Sequence, residues 1–453
     1  MTAPGARQME NKMTSEIFHP KFKAEPYWWE AWRPNAEGSA EPPSRADVAI
    51  VGSGYAGLAT ALELARGGTT AVVLEAKEFG HGASTRSGGA VSGGVNLGKG
   101  LSGAKGKADR AAWEREMAAM LADAAESLTL IETIIDREKI DCFYERKGRF
   151  IGAYAPRHYD DLARKLEVVN RHTEAAAYML PRERQQEEIS STYYFGGMVV
   201  PRSGKLHPAL YYGGLLAACR RHGVILCAKT PVERIIRRSG GFVLRIGRGE
   251  LEAREVVIAT NGYTGSLTPS LRRRVIPVAS HIIATEELAP DLARSLIPNG
   301  RTINDTPRIL TYYRMSPDGK RVIFGGRARF TQVTPEVSAP ILYRFMTDRF
   351  PQLKGVKITH AWTGNVAFTF DYLPHMGRED GMHYALGCNG SGVAMMTYLG
   401  TQTGRKILGG SNRICALDER AFPTRPLYDG HPWFLPLVGG YYRMRDRLDR
   451  LTA

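Results

Sequence analysis

Three glycines with the spacing G-x-G-x-x-G are the residues of this chain that most directly indicate chemistry. Gly52, Gly54 and Gly57 follow the apolar run Val48–Val51 and precede apolar residues at helical spacing. In a strand–turn–helix unit, the first glycine permits a tight turn, the second lets a pyrophosphate approach the backbone, and the third lets helix and strand pack closely. The helix N-terminus adds free N–H donors and a positive dipole end. The spacing therefore predicts a dinucleotide site at Gly52, Gly54, Tyr55, Ala56 and Gly57.

An acidic residue at the end of a second predicted strand bears on which dinucleotide is bound. Glu75, followed by Ala76, comes directly after the β-rich run Thr69–Leu74. It lies about 20 residues beyond the glycines, where a carboxylate accepts hydrogen bonds from ribose hydroxyls. Such a carboxylate repels a 2′-phosphate, so NADP is disfavoured, whereas FAD and NAD both remain.

The loop that follows this strand favours FAD. Gly80–Gly89 reads GHGASTRSGG and carries one cation, Arg86, among small residues. Backbone N–H groups in such a loop can form a concave anion site. The alternative interpretation is a plain glycine-rich surface loop.

Composition and length indicate a large intracellular globular protein. The chain has 453 residues, more than one hydrophobic core usually holds, so at least two domains are expected. It has no apolar run long enough to span a bilayer, and the first 45 residues lack the apolar core of a signal peptide. Five scattered cysteines fit reduced thiols, and no metal-ligand spacing is present. We therefore expect a cytoplasmic protein without a metal.

The net charge of +15 admits three interpretations. These are solubility, a basic cleft that attracts an anionic substrate, and attraction to nucleic acid or a membrane. The basic residues form short clusters such as Arg272–Arg274 and no long tract. Solubility is therefore favoured, an anionic substrate comes second, and nucleic acid comes last.

Glycine turns recur later in the chain. The predicted strand Val256–Thr260 runs into a polar turn, which is where open α/β sheets place ligands. The run Tyr384–Ala394 is again a strand followed by glycines, and it leads into a predicted helix, Met395–Ile407. A second helix N-terminus can therefore face a ligand. The candidate residues of these two turns are Thr260, Asn261, Gly262, Gly390, Ser391, Gly392, Val393 and Ala394.

Several further motifs complete a pattern that runs nearly end to end. They are an aromatic arm at Pro26–Trp32, the segment Phe350–Ile358 that leads to Trp362-Thr363-Gly364, and the C-terminal run Tyr441–Leu448. With the glycine motifs, they make the chain resemble the D-amino-acid-oxidase-like FAD-dependent amine oxidoreductases, the family that includes glycine oxidase and sarcosine oxidase.

The resemblance implies a mixed α/β (α+β) fold. It consists of a discontinuous, doubly wound FAD-binding (Rossmann-like) domain and an antiparallel-sheet substrate domain. We expect residues 46–110, 200–272 and 356–412 in the FAD-binding domain, and 111–199 and 273–355 in the substrate domain. Residues 1–45 form an N-terminal arm and 413–453 a C-terminal segment.

The resemblance also implies how FAD is held. The adenine end uses the first glycine turn, Glu75 and Val232, and the loop lies along the pyrophosphate and flavin through Ala83, Ser84, Arg86, Ser87, Gly88 and Gly89. The turn at Gly390–Ala394 presents N–H groups to the flavin. Relatives that attach flavin covalently use a Cys or His where this chain has Gly364 and Arg86, and His81 is out of register. Non-covalent FAD is therefore expected. Ser391 replaces a histidine common in the family, so an electrostatic role for its side chain is in doubt.

The activity implied is oxidation of the C–N bond of a primary or secondary amine. The products are an aldehyde or oxo acid and an amine or ammonia, with oxygen as the expected acceptor and hydrogen peroxide formed. The expected partners are the small amine and oxygen or an electron carrier, without nucleic acid or a membrane span; the oligomeric state is left open. The candidate catalytic residues are Tyr313, Arg314, Arg327 and Ser391, beside Tyr312 and with His207 and His281 as further pocket candidates.

Three alternatives stay open at this point. One is a sarcosine- or glycine-type amino acid oxidase. Another is an FAD dehydrogenase that passes electrons to a quinone or carrier. The third is a non-catalytic flavoprotein, whose pocket would be sealed or would lack polar groups.

Overall fold

The structure, a computed structural model, describes residues 16–92, 110–247, 249–409 and 414–451. The described residues form nine α-helices. In chain order they are α1 (Tyr55–Arg66), α2 (Arg110–Arg137), α3 (Pro156–Thr173), α4 (Pro208–Arg221), α5 (Pro269–Arg272), α6 (Pro290–Leu296), α7 (Pro335–Arg349), α8 (Gly392–Gly409) and α9 (Leu435–Leu451).

The same residues form nineteen strands. They are β1 (Phe18–Lys23), β2 (Arg45–Val51), β3 (Ala71–Leu74), β4 (Ala90–Ser92), β5 (Arg149–Gly152), β6 (Tyr178–Leu180), β7 (Gly197–Val200), β8 (Ser203–Lys205), β9 (Ile225–Cys227), β10 (Val232–Arg238), β11 (Gly241–Ile246), β12 (Gly249–Ile258), β13 (Ile276–Thr285), β14 (Thr302–Asp305), β15 (Thr311–Met315), β16 (Val322–Gly326), β17 (Ile358–Phe368), β18 (His375–Glu379) and β19 (Met382–Leu386).

An eight-stranded sheet carries the first glycine turn. Its path is β10-β11-β12-β2-β3-β9, and β19 also pairs with β12 and β18. The central strands β12, β2, β3 and β9 are parallel neighbours. Parallel strands covered on both faces are made of continuous apolar runs, and β3 is buried along its whole length. The carboxyl ends of β2 and β3 therefore meet at one edge of the sheet.

A nine-stranded sheet lies beside it, in the order β1-β17-β13-β16-β15-β14-β5-β7-β6. Most neighbours are antiparallel; β1 with β17 and β5 with β14 are parallel pairs. Helix α7 packs on this sheet through buried residues such as Leu342 and Met346. The mixed α/β fold class and the antiparallel second sheet are thus as predicted.

Helices α1 and α8 pack closely, and glycines make this possible. A Cβ at Gly400 would lie 2.2 Å from the Ala56 carbonyl oxygen, so only glycine lets the helices approach this closely. The Thr60 hydroxyl donates to the Gly400 carbonyl at 2.8 Å. This contact fixes α8 against the helix that follows the first glycine turn.

The sheets divide the chain differently from the expected domain boundaries at two places. Strand β17 pairs with β13 in the nine-stranded sheet, although residues 356–412 were all expected in the FAD-binding domain. Helix α2 buries Met117 and Leu128 in the core beneath the parallel sheet, although residue 111 onward was expected in the substrate domain. The reason is that β17 and α2 each lie at the boundary between the parallel-sheet part of the molecule and the nine-stranded-sheet part. Among the described helices, none has the length and apolar character needed to cross a bilayer.

Candidate active site

The predicted glycine turns line one cavity, of about 1330 Å³, to which both sheets contribute. This exceeds the volume of most small-molecule sites and accommodates a dinucleotide together with a small substrate. The predicted cofactor residues that line it are Gly52, Gly54, Tyr55, Ala56, Glu75, Ala76, Ala83, Ser84, Arg86, Ser87, Gly88, Gly89, Val232, Thr260, Asn261, Gly262, Gly390, Gly392 and Val393.

The three glycines of the first turn have distinct structural roles. Gly52 has a φ of +102°, a left-handed conformation that favours glycine. Gly57 lies behind the turn, where a Cβ would come within 1.9 Å of the Gly52 carbonyl oxygen. Gly54 is the N-cap of α1 with a φ of −66° and faces open space, with only Ser84 Oγ within 3.4 Å of a Cβ position. A side chain at Gly54 would therefore project into the cavity without straining the backbone.

Glu75 sits at the end of β3 as an acceptor on the cavity wall. Its Oε2 accepts from the Ser53 amide at 3.1 Å and the Ser53 hydroxyl at 2.7 Å, and its Oε1 accepts from the Lys77 amide at 3.0 Å. A carboxylate has about four lone-pair sites. Glu75 is thus fixed in orientation and keeps acceptor capacity for a ribose hydroxyl.

The loop at Gly82–Gly89 is held by side chains that bind its carbonyl groups. Trp28 Nε1 donates to the Ser87 carbonyl at 2.8 Å, and Trp362 Nε1 donates to the Arg86 carbonyl at 2.8 Å. Tyr55 donates through its hydroxyl to the Ser84 carbonyl at 2.6 Å. The aromatic arm therefore forms part of the loop's support.

This arrangement determines where the loop's N–H groups point. Across a planar trans peptide, the carbonyl of one residue and the N–H of the next point in opposite directions. Because the carbonyls of Arg86 and Ser87 point to indoles, the N–H groups of Ser87 and Gly88 point away from them. Both residues line the cavity. The loop thus has the geometry of an anion site.

The guanidinium of Arg86 makes its hydrogen bonds within the protein. It donates to the carbonyls of His81 and Thr363 and lies 4.6 Å from the ring centroid of Trp29. Burial lowers the pKa of Arg86, but the group stays cationic because the ordinary value is far above neutrality. Arg86 contributes positive potential on the cavity wall beside Gly364.

The second glycine turn leads into α8 as predicted. Gly390 has a φ of +94°, and Gly390 and Gly392 line the cavity. Ser391 itself does not line it; the Ser92 hydroxyl donates to Ser391 Oγ at 3.3 Å. Ala394 is buried in the first turn of α8, off the cavity wall.

Tyr313 and Arg314, like Ser391, do not line the cavity, so Arg327 is the one of the four predicted catalytic residues that does. Arg314 is buried and donates to the carbonyls of Met315, Leu206 and Gly89. Its contact with Gly89 makes it a further support of the loop, and it does not line the cavity. Tyr313 points to the other face of β15, where it stacks on Phe324 with centroids 5.0 Å apart.

Tyr313 belongs to a buried polar network. Its hydroxyl shares a hydrogen bond of 2.8 Å with Tyr194, and Tyr194 donates to Asp305. Asp305 also accepts from Arg349 Nη2 at 2.6 Å and from the amide and hydroxyl of Thr311. Asp305 lines the cavity, but its oxygens are used within the protein, so its role is to hold the strands together.

Arg327 lies where a substrate carboxylate could reach it. It lines the cavity with its guanidinium 4.8 Å from the ring centroid of Phe368, and it donates to the Arg308 carbonyl at 3.3 Å. No carboxylate of the described residues makes an ion pair with it. Burial lowers the pKa of Arg327, which still leaves a cation at neutral pH.

Phenols surround this arginine. Tyr312, Tyr372 and Tyr442 line the cavity. Tyr312 shares a hydrogen bond of 2.9 Å with the Ser280 hydroxyl, and burial raises its pKa to about 12. Burial likewise raises the pKa of Tyr442 to about 12. These two phenols are therefore protonated donors at neutral pH.

The two predicted pocket histidines do not line the cavity. His207 is the N-cap of α4, where its Nδ1 accepts from the Leu210 amide at 3.2 Å. His281 is fully buried on β13 between its neighbours β16 and β17. His207 therefore caps a helix and His281 lies within a sheet, and neither side chain lines the cavity.

The cavity also has walls that the sequence motifs did not indicate. Arg149 on β5 and Asn304 on β14 line it from the nine-stranded sheet, and α3 contributes residues such as Leu162 and Lys165. The sequence does indicate the helix α3, because Leu162, Leu166 and Val169 recur at helical spacing after Pro156.

A fold with a dinucleotide turn, an anion-binding loop and a second helix N-terminus on one cavity defines a flavoenzyme-like protein of the Rossmann type. A family model described as "DAO: FAD dependent oxidoreductase" matches residues 47–405. The chain is 32% identical to gamma-glutamylputrescine oxidoreductase of Escherichia coli (strain K12) over 407 residues, which are 89% of this chain and 93% of that protein.

Solved structures agree on the fold. L-proline dehydrogenase from P. horikoshii superposes with a TM-score of 0.69 at 18% identity, covering 82% of this chain and 96% of that one. Glycine oxidase from Geobacillus kaustophilus superposes with a TM-score of 0.66 at 22% identity, covering 85% and 99%. The chain therefore belongs to the DAO family of FAD-dependent oxidoreductases, and it is an enzyme that acts on amine donors. The family resemblance inferred from the motifs is confirmed.

The residues present fit the FAD that the family implies. The first turn offers a glycine cradle and a helix N-terminus to the pyrophosphate, and Glu75 offers acceptors to a ribose. The loop at Ser87–Gly88 and the turn at Gly390–Gly392 would face the remaining part of the cofactor.

Proposed function

We propose that this enzyme oxidises the C–N bond of a primary or secondary amine that carries a carboxylate, using non-covalently bound FAD. The observation that carries the proposal is Arg327, a half-buried cation on the wall of the cavity with no acidic ion-pair partner among the described residues. The enzyme gives an aldehyde or oxo acid and an amine or ammonia. Oxygen is the proposed acceptor, with hydrogen peroxide as its product.

FAD supplies the hydride-accepting chemistry when it is bound. The protein supplies orientation and exclusion of water. Arg327 would hold the carboxylate through charge-assisted hydrogen bonds, and the rings of Phe368 and Tyr312 would cover the carbon chain. Because Tyr312 and Tyr442 stay protonated, they would act on the substrate as donors and not as bases.

The relatives suggest the range of substrates to test. Gamma-glutamylputrescine, glycine and sarcosine occur in the names of similar proteins, and an opine oxidase subunit occurs at 24% identity. Among these, a long amine with a distal carboxylate makes best use of the large cavity. A small N-substituted amino acid is the second candidate.

A peroxide-coupled screen of these amines tests the proposal. Each amine with a carboxylate is paired with its carboxamide, which has the same shape but no charge. The carboxylate members should be oxidised with a much higher kcat/KM. Flavin reduction without peroxide would show a dehydrogenase that needs another acceptor, and equal rates for both members would remove the carboxylate from the proposal.

Arg327→Gln tests the same contact from the protein side. Loss of a charge-assisted contact of about 2–3 kcal/mol raises KM roughly 30- to 150-fold. Arg329→Gln is the matched control, since Arg329 is exposed on the same segment. Unchanged kinetics in the Arg327 variant would show that this arginine does not bind substrate.

The non-covalent state has its own test. Neither Gly364 nor Arg86 can form a bond to flavin, so acid denaturation should release all the FAD. Flavin that stays on the polypeptide would contradict this and would point to another cavity residue such as His81 or Cys388.

A further inference from the structure

The C-terminal helix α9 exposes a continuous apolar ridge. Leu437, Tyr441, Met444, Leu448 and Leu451 have exposed fractions of 71%, 52%, 53%, 48% and 74%. Their spacings of four, three, four and three residues put all five on one face of the helix. Exposed large apolar side chains are ordinary when scattered, but a contiguous row of them marks an interaction site.

The opposite face of α9 is already used by the protein. Asp446 and Asp449 are buried and accept from Arg308, and Gly439 packs against the ring of Phe330. Tyr442, also on this inner side, lines the cavity. The helix is thus fixed on the body of the molecule, and the ridge is its outer face.

Arginines border the ridge on both sides. At 100° per residue, Arg443 and Arg447 fall on one flank of Met444 and Arg445 on the other. Arg443 and Arg447 are exposed, and Arg445 is half-buried. The acidic residues of α9 within this span are both on the buried face, so the outer surface of the helix is apolar along its middle and cationic along its edges.

The segment before the helix exposes two further large apolar side chains. Leu427 is 88% exposed and Trp433 is 54% exposed. The Trp433 indole donates to the Leu427 carbonyl at 3.3 Å, which holds the two side by side. Tryptophan and tyrosine are amphipathic rings that favour membrane–water interfaces.

We propose that this surface, the ridge of α9 with Leu427 and Trp433, docks on the surface of an anionic phospholipid membrane. An amphipathic helix with large apolar side chains on one face and arginines beside them lies in the interfacial plane of a bilayer. The helix does not span, because it has 17 residues and carries arginines and aspartates. Its arginine stems cover the edge of the apolar row while their charged ends meet lipid phosphates.

Charge and shape decide against a second copy of the chain as the occupant. Two copies that met ridge to ridge would bring their arginine rows together, with no exposed acidic residue of α9 between them. A single helix is also a convex surface, which a deformable bilayer accepts and which a protein partner would need a groove to match. The net charge of +15 adds a general attraction to anionic lipid.

Docking in this orientation has a geometric consequence for the enzyme. Tyr442 lines the cavity from the inner side of the helix whose outer side would meet lipid. That wall of the cavity would then lie about one helix diameter, ~10 Å, from the lipid surface. The proposal is independent of which amine is oxidised.

Cosedimentation of the full-length holoenzyme with vesicles tests the proposal. Vesicles of phosphatidylglycerol and phosphatidylcholine in equal amounts are compared with vesicles of phosphatidylcholine alone, at low and high salt. The protein should bind the anionic vesicles more tightly, and salt should weaken that binding because it screens exposed charges. Absence of binding to anionic vesicles at low salt would overturn the proposal.

Two variants separate the apolar and ionic contributions. Leu437→Gln/Leu448→Gln should weaken vesicle binding on the order of tenfold per leucine. Arg443→Gln/Arg447→Gln should weaken it about fivefold per arginine and reduce its salt dependence. The matched control is Tyr178→Gln/Val337→Gln, two side chains of similar exposure elsewhere on the surface, which should bind like the wild type.

The same variants exclude alternative explanations. Unchanged flavin content and unchanged amine oxidation without vesicles show that the variants are folded. If the wild type sediments as a dimer that the leucine variant dissociates, the ridge is a self-association surface and the membrane proposal is wrong. Equal vesicle binding by wild type and leucine variant would overturn it as well.

Discussion

The indole N–H of Trp28 donates to the main-chain carbonyl of Ser87 at 2.8 Å, across 59 residues of sequence. Trp28 is fully buried, edge-on to Trp362 and to His207. The aromatic arm and the glycine-rich loop therefore form one unit, in which indoles hold the carbonyls of Arg86 and Ser87 so that the next N–H groups point away from the indoles. The arm is thus a positioning element of the cofactor site.

Trp28→Phe should weaken FAD binding. The change keeps an aromatic ring but leaves the part-buried Ser87 carbonyl without its indole donor, which costs about 1–3 kcal/mol. If that cost falls on the loop conformation that binds the cofactor, the Kd for FAD rises roughly 5- to 150-fold. Quenching of flavin fluorescence on titration into apoprotein measures it.

A matched variant distinguishes this effect from general damage. Trp433→Phe also removes an indole donor to a carbonyl, that of Leu427, which does not belong to the loop, and should leave the Kd unchanged. A changed flavin absorption spectrum in Trp28→Phe would add evidence for altered positioning. An unchanged Kd and spectrum would show that the arm does not set the loop conformation.

Gly54→Val should abolish FAD binding in a folded protein. The φ of Gly54, −66°, is open to any residue, and its Cβ position has only Ser84 Oγ nearby. The valine would therefore fold normally and occupy the pyrophosphate space. The measurement is the flavin content of purified protein together with its circular dichroism.

Gly57→Ala provides the contrast to that variant. Its Cβ would lie 1.9 Å from the Gly52 carbonyl oxygen, so the helix and strand must separate and stability itself should fall. A Gly54→Val protein that keeps normal flavin content would show that this turn is not the dinucleotide site.

The glycine motifs could be located from sequence because they combine three local signals. Strand, glycines and helix follow one another within a few residues, and each has a distinct pattern. The predicted helix Met395–Ile407 is observed as Gly392–Gly409. It begins earlier because Gly392 itself adopts helical geometry.

Arg314, predicted to be catalytic, shows why the position of a side chain relative to the cavity could not be predicted. Tyr312 and Arg314 share one face of β15, but Arg314 lies about 7 Å further along the strand, where the carbonyls of Gly89 and Leu206 receive its donors. Whether Arg314 reaches the cavity or these carbonyls depends on how the two sheets pack against each other. A sequence shows which side chains of a strand share a face, but it does not show which residues pack against that face.

Helix α9 was missed for a related reason. Its apolar residues face outward and its acidic residues face the protein, where Arg308 pairs with Asp446 and Asp449. Periodicity predicts an amphipathic helix only if the apolar face is assumed to be buried. The C-terminal run was recognised as a family motif, without its structure.

Ser391→Ala should leave FAD bound and lower turnover by no more than about tenfold, the equivalent of one neutral hydrogen bond. The reason is that Gly390, Gly392 and Val393 line the cavity and Ser391 does not. Backbone N–H groups would then provide the stabilisation at this turn. Steady-state kcat with the best amine measures the effect, and loss of turnover with flavin still bound would make the side chain catalytic.

Acid sensitivity should depend in part on His207. Burial, assisted by the positive charge of Arg314, lowers the pKa of His207 from 6.5 to about 4. The folded protein therefore holds this imidazole neutral, as the acceptor that caps α4. On acidification the unfolded chain takes up the proton first, so the free energy of unfolding falls between about pH 6.5 and pH 4, by roughly 3 kcal/mol in total.

His207→Asn should flatten this dependence. Asparagine also caps a helix by accepting from a backbone N–H, but it does not titrate, so its contribution is the same at pH 7 and at about pH 4. The measurement is the urea midpoint of the holoenzyme across that range, with exposed His431→Asn as the control that keeps the wild-type slope. The urea midpoint of His207→Asn should still fall somewhat with decreasing pH, because burial also lowers the pKa of His281 and of His360. If His207→Asn loses stability in parallel with the wild type at every pH, protonation of His207 is not what destabilises the protein in acid.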